Sequence, residues 1–139
     1  MAIKQVSVFM ENKPGKLSEV VELIANADIN LRAMSLADTN DFGILRAITT
    51  DTDKFMEIVG EHTVVTKNDV VAVEMPDEVG ALSKVLKVLG SAQVNIDYMY
   101  AFTSDTKLGA YTVLRVDDVE TAEKLLTENG FSVLNQADI

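Results

Sequence analysis

The chain has 139 residues, 47% of them hydrophobic, with no cysteine and a formal net charge of -10. That length suits one ordinary domain or two small ones, and the missing cysteines exclude disulfides and thiolate metal sites. Residues 1–68 carry 7 basic and 10 acidic side chains (-3) and residues 69–139 carry 5 and 12 (-7), a spread-out acidity that describes a solvated surface and argues against nucleic acid, which needs clustered Lys and Arg.

Val6, Val8 and Met10 alternate with polar Gln5 and Ser7, which predicts a strand with one buried face. Leu17, Val20, Val21, Ile24 and Ala27 then fall on one stripe of a helix. Between them lies Asn12-Lys13-Pro14-Gly15-Lys16. Pro14 suits a first helical turn, and Asn12 can accept from free helix amides. Asn30 to about Asp38 and Phe42 to Thr50 are two strands of a hairpin, with Thr39, Asn40 and Asp41 as turn formers. A short helix follows from Asp53 to about Gly60, and Thr63 to Thr66 is a last strand.

The same order then begins again. Laying 6–38 over 71–103 without a gap gives 33 pairs, of which ten are identical, among them Val6/Val71, Met10/Met75, Gly15/Gly80, Leu17/Leu82, Ser18/Ser83 and Asn30/Asn95. Chance would give roughly two at ordinary residue frequencies. Leu82, Val85, Leu86, Leu89 and Ala92 repeat the helical stripe, and Asp77 takes the place of Asn12. Strands are expected over Asn95–Thr103, Leu108–Val116 and Phe131–Leu134, with a helix over Val119–Glu128 stopped by Gly130. The chain is thus a tandem of two modules, 1–68 and 69–139. Each has the order βαββαβ, which gives a four-stranded antiparallel sheet with both helices on one face, the ferredoxin-like plait of the α+β class.

Little in the chain points to catalysis. His62, the one histidine, follows Glu61 in an acidic turn and has no relay partner in view. Asp51 with Asp53, and Asp117 with Asp118, sit where short helices begin and favour the helix dipole. No set of converging ligands suggests a metal, and no Gly-rich phosphate loop is present. Acylphosphatases share the plait, but their glycine loop ending in arginine is absent. Neither metal nor cofactor is expected, and no enzymatic activity.

What stands out is the repeated loop. Glycine permits a sharp turn, and the first amides of the helix after it point outward, a ready site for a carboxylate or phosphate. Asn30 and Asn95 open the strand after each first helix, and an amide side chain can both donate and accept. Two composite sites are expected. One joins Asn12, Lys13, Pro14, Gly15, Lys16 and Leu17 with Asn95 and Ile96. The other joins Asp77, Glu78, Val79, Gly80, Ala81 and Leu82 with Asn30 and Leu31. Tyr98, Tyr100 and Phe102 share one face of a strand and suit an interface, a pocket wall or plain core. Glu19 and Glu22 align with Lys84 and Lys87, a sign reversal that would favour pairing of unlike copies if those faces meet.

The pattern of strand, Asn/Asp-x-Pro-Gly-x-Leu, amphipathic helix and apolar-Asn-apolar resembles that of ACT domains. Asn12–Leu17 with Ile29-Asn30-Leu31 matches it, as does Asp77–Leu82 with Val94-Asn95-Ile96, except that Val79 replaces the proline. The resemblance covers both copies. It implies regulation by a small ligand, usually an amino acid, held where the first loop of one domain meets the start of the second strand of another. It further implies a stand-alone sensor that forms homo-oligomers and acts on a separate enzyme, transporter or regulator. A ligand-free pair used for oligomerisation or docking is the alternative. No apolar run approaches the roughly 18–20 residues of a membrane span, and the N-terminus lacks a signal-peptide pattern. A cytoplasmic location without membrane contact is therefore expected.

Overall fold

A computed structural model describes residues 2–103 and 109–139. The elements are β1 (Ile3–Glu11), α1 (Lys16–Asn26), β2 (Leu31–Asp38), β3 (Phe42–Thr49), α2 (Thr52–Gly60), β4 (Val64–Glu74), α3 (Ala81–Ser91), β5 (Ile96–Thr103), β6 (Ala110–Val116), α4 (Val119–Glu128) and a short 3-10 turn, Gln136–Asp138. The expected strand start at Leu108 lies outside the described residues. The described chain divides into two compact units, one over 4–68 and one over 69–138 that also takes residues 2 and 3.

In the first unit the strand order is β2-β3-β1-β4, with β4 contributing its residues up to Asn68. The antiparallel register sets Val6 opposite Ala47 and Val8 opposite Leu45. These four, with Met10, pack under Val20 and Ile24 of α1 and Phe55 and Val59 of α2. The second unit repeats the arrangement as β5-β6-β4. Val71 and Leu114 face each other there and pack with Val73, Val85, Leu89, Ala122 and Leu126. Each unit is a ferredoxin-like plait. No helix among the described residues is long and apolar enough to cross a membrane.

Three expectations need correction. Gln5 and Ser7 do not mark a solvent face: Gln5 is fully buried and Ser7 nearly so. The Gln5 amide Nε2 donates to Asn68 Oδ1 at 3.4 Å, so the polar group keeps a partner. The strand at Thr63–Thr66 does not end before the second copy begins. It runs unbroken as β4, because Lys67, Asn68 and Asp69 offer neither Gly nor Pro to turn the chain. Last, Phe131–Leu134 is no full strand. It keeps one bridge, Val133 to Val73, backed by Glu74 N–H to Ser132 O at 2.8 Å and Leu134 N–H to Ala72 O at 2.8 Å. The 3-10 turn after it had no sequence signal. Asn135 N–H donates to Asp138 Oδ2 at 2.9 Å and closes it.

Leu126 is fully buried in the second core, whereas Val64 is 65% exposed. Leu126→Ala is expected to lower stability by about 2–5 kcal/mol through lost burial and the cavity left behind. Val64→Ala should stay within about 0.5 kcal/mol of wild type. Urea denaturation of both variants checks the contrast.

Candidate functional site

Among the described residues, the four α-helices begin in two different ways. Asp51 caps α2, its Oδ1 accepting from the Lys54 amide at 3.1 Å. Asp118 caps α4, with Oδ1 accepting from the Thr121 amide at 3.1 Å and Oδ2 from the Thr121 hydroxyl at 2.6 Å. Asp117, beside it, accepts instead from the Asn95 amide at 3.1 Å. By contrast, α1 and α3 are entered through Gly15 at φ 83° and Gly80 at φ 87°, and no side chain caps either. Asn12 and Asp77 therefore do not cap, contrary to expectation, and Pro14 precedes the helix rather than opening it. The left-handed glycine supplies the turn, so the polar residues three positions earlier are carried away from the helix axis.

The two loops have the same backbone. Lys13 N–H reaches Glu11 O at 3.0 Å and Lys16 N–H reaches Lys13 O at 3.2 Å; Glu78 N–H reaches Pro76 O at 2.8 Å and Ala81 N–H reaches Glu78 O at 3.3 Å. The amides of Leu17 and Ser18, and of Leu82 and Ser83, come next in the first turn and have no intrahelical partner by helix geometry. Both loops border a hollow. The first, about 290 Å³, is lined by Met10–Lys13, Leu17, Leu36–Asp38 and Gly43. The second, about 680 Å³, is lined by Met75–Glu78, Gly80–Ser83, Thr103 and Ala110. Both lie in the size range of small-molecule sites.

Their side chains differ. Lys13 pairs with Glu11 at 2.7 Å. The Lys13 ammonium, by hydrogen bond and then by charge, holds the Glu11 carboxyl below its ordinary value, and Glu11 raises Lys13 in return. Lys16 leans toward Glu19 at 3.5 Å. In the second loop Glu78 faces Lys84 at 4.0 Å, and Val79, where the first loop has Pro14, stands fully exposed at its tip.

The asparagines are not beside the loop of their own unit. Asn30 and Asn95 sit at the opposite end of the sheet, where the second strand of each plait starts. Asn30 N–H donates to Thr50 Oγ1 at 3.0 Å, and the Asn95 side chain donates to Asp97 Oδ1 at 3.0 Å. Leu31 and Ile96 follow them and pack partly against the two cores. Each unit thus brings its loop together with the end of its second strand.

Tyr98, Tyr100 and Phe102 are half-buried on β5. Phe102 stacks on Tyr111 with ring centroids 5.4 Å apart, and Tyr100 lies opposite buried Val113. Burial pushes the Tyr111 phenol up, with smaller contributions from Glu74 and Asp138. Tyr111 was not among the residues expected to matter, although its place opposite the aromatic row was a usable signal. His62 is exposed in the turn after α2. Lys84 lies about 200° around α3 from Leu82 and lines a hollow with Phe131 and Ser132.

A repeated βαββαβ plait with a glycine-entered first helix defines the class. The family model for the ACT domain pair matches residues 1–139, and the chain belongs to that family. No curated protein sequence matches it. Among solved structures it is similar to protein BT0572 from Bacteroides thetaiotaomicron, at 40% identity and TM-score 0.91 over 99% of this chain and 95% of that one. In fold alone it is similar to the ligand-free regulatory subunit of aspartate kinase from Thermus thermophilus, at 11% identity and TM-score 0.65 over 94% of each chain. The fold is also that of the aspartokinase alpha and beta subunits, at 16% identity and TM-score 0.61 over 90% of each.

The caps make a separate prediction. Asp51→Ala should cost about 1 kcal/mol. The Asp118 carboxyl is held below its ordinary value, first by the Thr121 hydroxyl and then by the Thr121 amide. A lowered folded value means that this stabilisation is present above the unfolded value and is lost as pH falls through the folded one. As pH falls below about 4, Asp118→Asn should therefore lose less stability than the parent chain, measured by denaturant melts at successively lower pH.

Proposed function

We propose that this ACT domain pair is a non-enzymatic sensor of a small ligand carrying a carboxylate, an amino acid being the best fit. The observation that carries this reading is the contrast among helix entries: Asp caps on α2 and α4, left-handed glycines and no side-chain cap on α1 and α3. An uncapped helix N-terminus favours an anion. Each of the two borders a hollow of suitable size. The residues assigned to the ligand are Asn12–Leu17 in the first unit and Asp77–Leu82 in the second. Asn30 with Leu31, or Asn95 with Ile96, would come from another ACT domain, because each unit holds its own asparagine at the far end of its sheet. The amide oxygen and strand carbonyls there would take the ammonium. The regulated partner is a separate enzyme or transporter, met in the cytoplasm. The same-fold aspartate kinase regulatory subunit supports a regulatory role.

A thermal-shift screen against the twenty amino acids tests this. A true ligand at about a hundredfold its dissociation constant adds roughly 2.7 kcal/mol of stability. A Cβ at Gly15 would meet nothing within 4 Å, so Gly15→Ala should fold with a penalty of about 1 kcal/mol from its positive φ alone. It should weaken binding at the first loop and leave the second. A screen with no shift for any amino acid would refute the reading.

A further inference from the structure

Met10, Gly43 and Asp38 form one row across the first sheet, Met10 opposite Gly43 and Gly43 opposite Asp38. The row borders the first hollow, which Leu17 at the start of α1 also lines. Neighbouring strands lie about 4.8 Å apart, so Asp38 stands roughly 10 Å from Met10. Gly43 between them has no positive φ to explain it, and glycine inside a strand weakens the strand unless something comes close to it. A Cβ there would lie 3.6 Å from Leu36 Cδ1 and 3.6 Å from Met10 Cγ. Its absence keeps the row open from the loop to Asp38.

The charges along this hollow do not cancel. Glu11 and Lys13 neutralise each other at 2.7 Å, and Lys16 turns to Glu19. Asp38 is exposed and has no ion pair among the described residues. Met10, Leu17 and Leu36 supply apolar wall on the way to it. An apolar path that ends in a carboxylate suits a methylene stem with a cationic tip.

We propose that Asp38 is the specificity-determining residue of the first-loop site and selects an amino acid whose side chain ends in a cation. This rests on the proposed function, in which the first amides of α1 take the ligand carboxylate. The two copies separate the roles. The loop amides and the asparagines, assigned there to the carboxylate and the α-ammonium, recur in both copies and so meet groups that every amino acid has. Asp38 does not recur. The aligned residue is Thr103, which lines the second hollow in its place. A residue that differs at the same place reads the group that differs between ligands. The second hollow carries its acids, Asp77 and Glu78, on the loop instead of at the strand end.

The test uses the isotope-labelled full chain in solution NMR, the Gly15 amide reporting the first loop and the Gly80 amide the second. L-lysine and L-norleucine share a four-carbon stem and differ in the charged tip, and each is titrated at low salt. At Gly15, lysine should bind about fivefold or more tighter than norleucine, and high salt should reduce that ratio. Asp38→Thr should bring the two dissociation constants together at Gly15 and leave those at Gly80 unchanged. Gly43→Val, which fills the row, should weaken both ligands at Gly15. Circular dichroism checks folding; if the valine variant fails to fold, the exposed Asp38 still decides. Equal affinities at Gly15 in the parent chain overturn the proposal. So does an Asp38→Thr variant that keeps the preference, or one that weakens lysine and norleucine alike, which would put the α-ammonium on Asp38. Binding without preference removes this assignment alone, whereas a Gly15 amide that no amino acid moves removes the proposed function with it.

Discussion

The helix-facing register of β1 is the constraint on which the first unit depends. Val6 and Val8 lie opposite Ala47 and Leu45 and under both helices. A slip by one residue would turn every one of these side chains to the other face. With the register held, Met10 and Glu11 come level with Gly43 and Phe42. That fixes where the chain leaves the sheet, and so where Gly15 turns it into α1. Val71 opposite Leu114 does the same for the second unit. The loops are thus placed by core packing rather than by bonds of their own. At aligned positions just past α1 and α3, Asp28 and Gln93 are also left-handed, each at φ 59°.

Given that placement, the fold assigns different work to its helices. α2 and α4 begin on aspartates that satisfy their own amides, which stabilises the helix and leaves nothing for a ligand. α1 and α3 begin on glycines and leave amides outward. The difference is local chemistry at four short stretches, and nothing in the cores requires it.

Much of this was legible because two copies could be compared. Alternating valines gave the strands, the Leu17–Ala27 stripe gave α1, and the repeat gave the topology twice. What stayed hidden has physical reasons. The burial of Gln5 and Ser7 has no pattern in the chain itself, because a polar residue reads as exposed until its partner, here Asn68, is known. The run from Val64 to Glu74 was cut by assuming that each module ends its own strand, when nothing in it breaks a strand. Asn12 and Asp77 looked like caps by composition, and only the φ of the glycine after them shows that they are not. The loops and asparagines were found as residues, but their separation to opposite ends of each sheet follows from strand direction.

The divergence between the copies falls where packing does not decide. Core positions repeat because each must fill the space under two helices. The loop backbone repeats too, bond for bond, although Lys13 became Glu78 and Lys16 became Ala81. An anion-favouring helix end is made of main chain, so it survives such substitutions. The side chains around it are free to change sign, and they have: one loop carries Lys13 and Lys16, the other Asp77 and Glu78. A group common to all ligands of a class would be met by the invariant amides, and the distinguishing group by the side chains that differ. The duplication therefore gives one chain two loops alike in main chain and unlike in side chains.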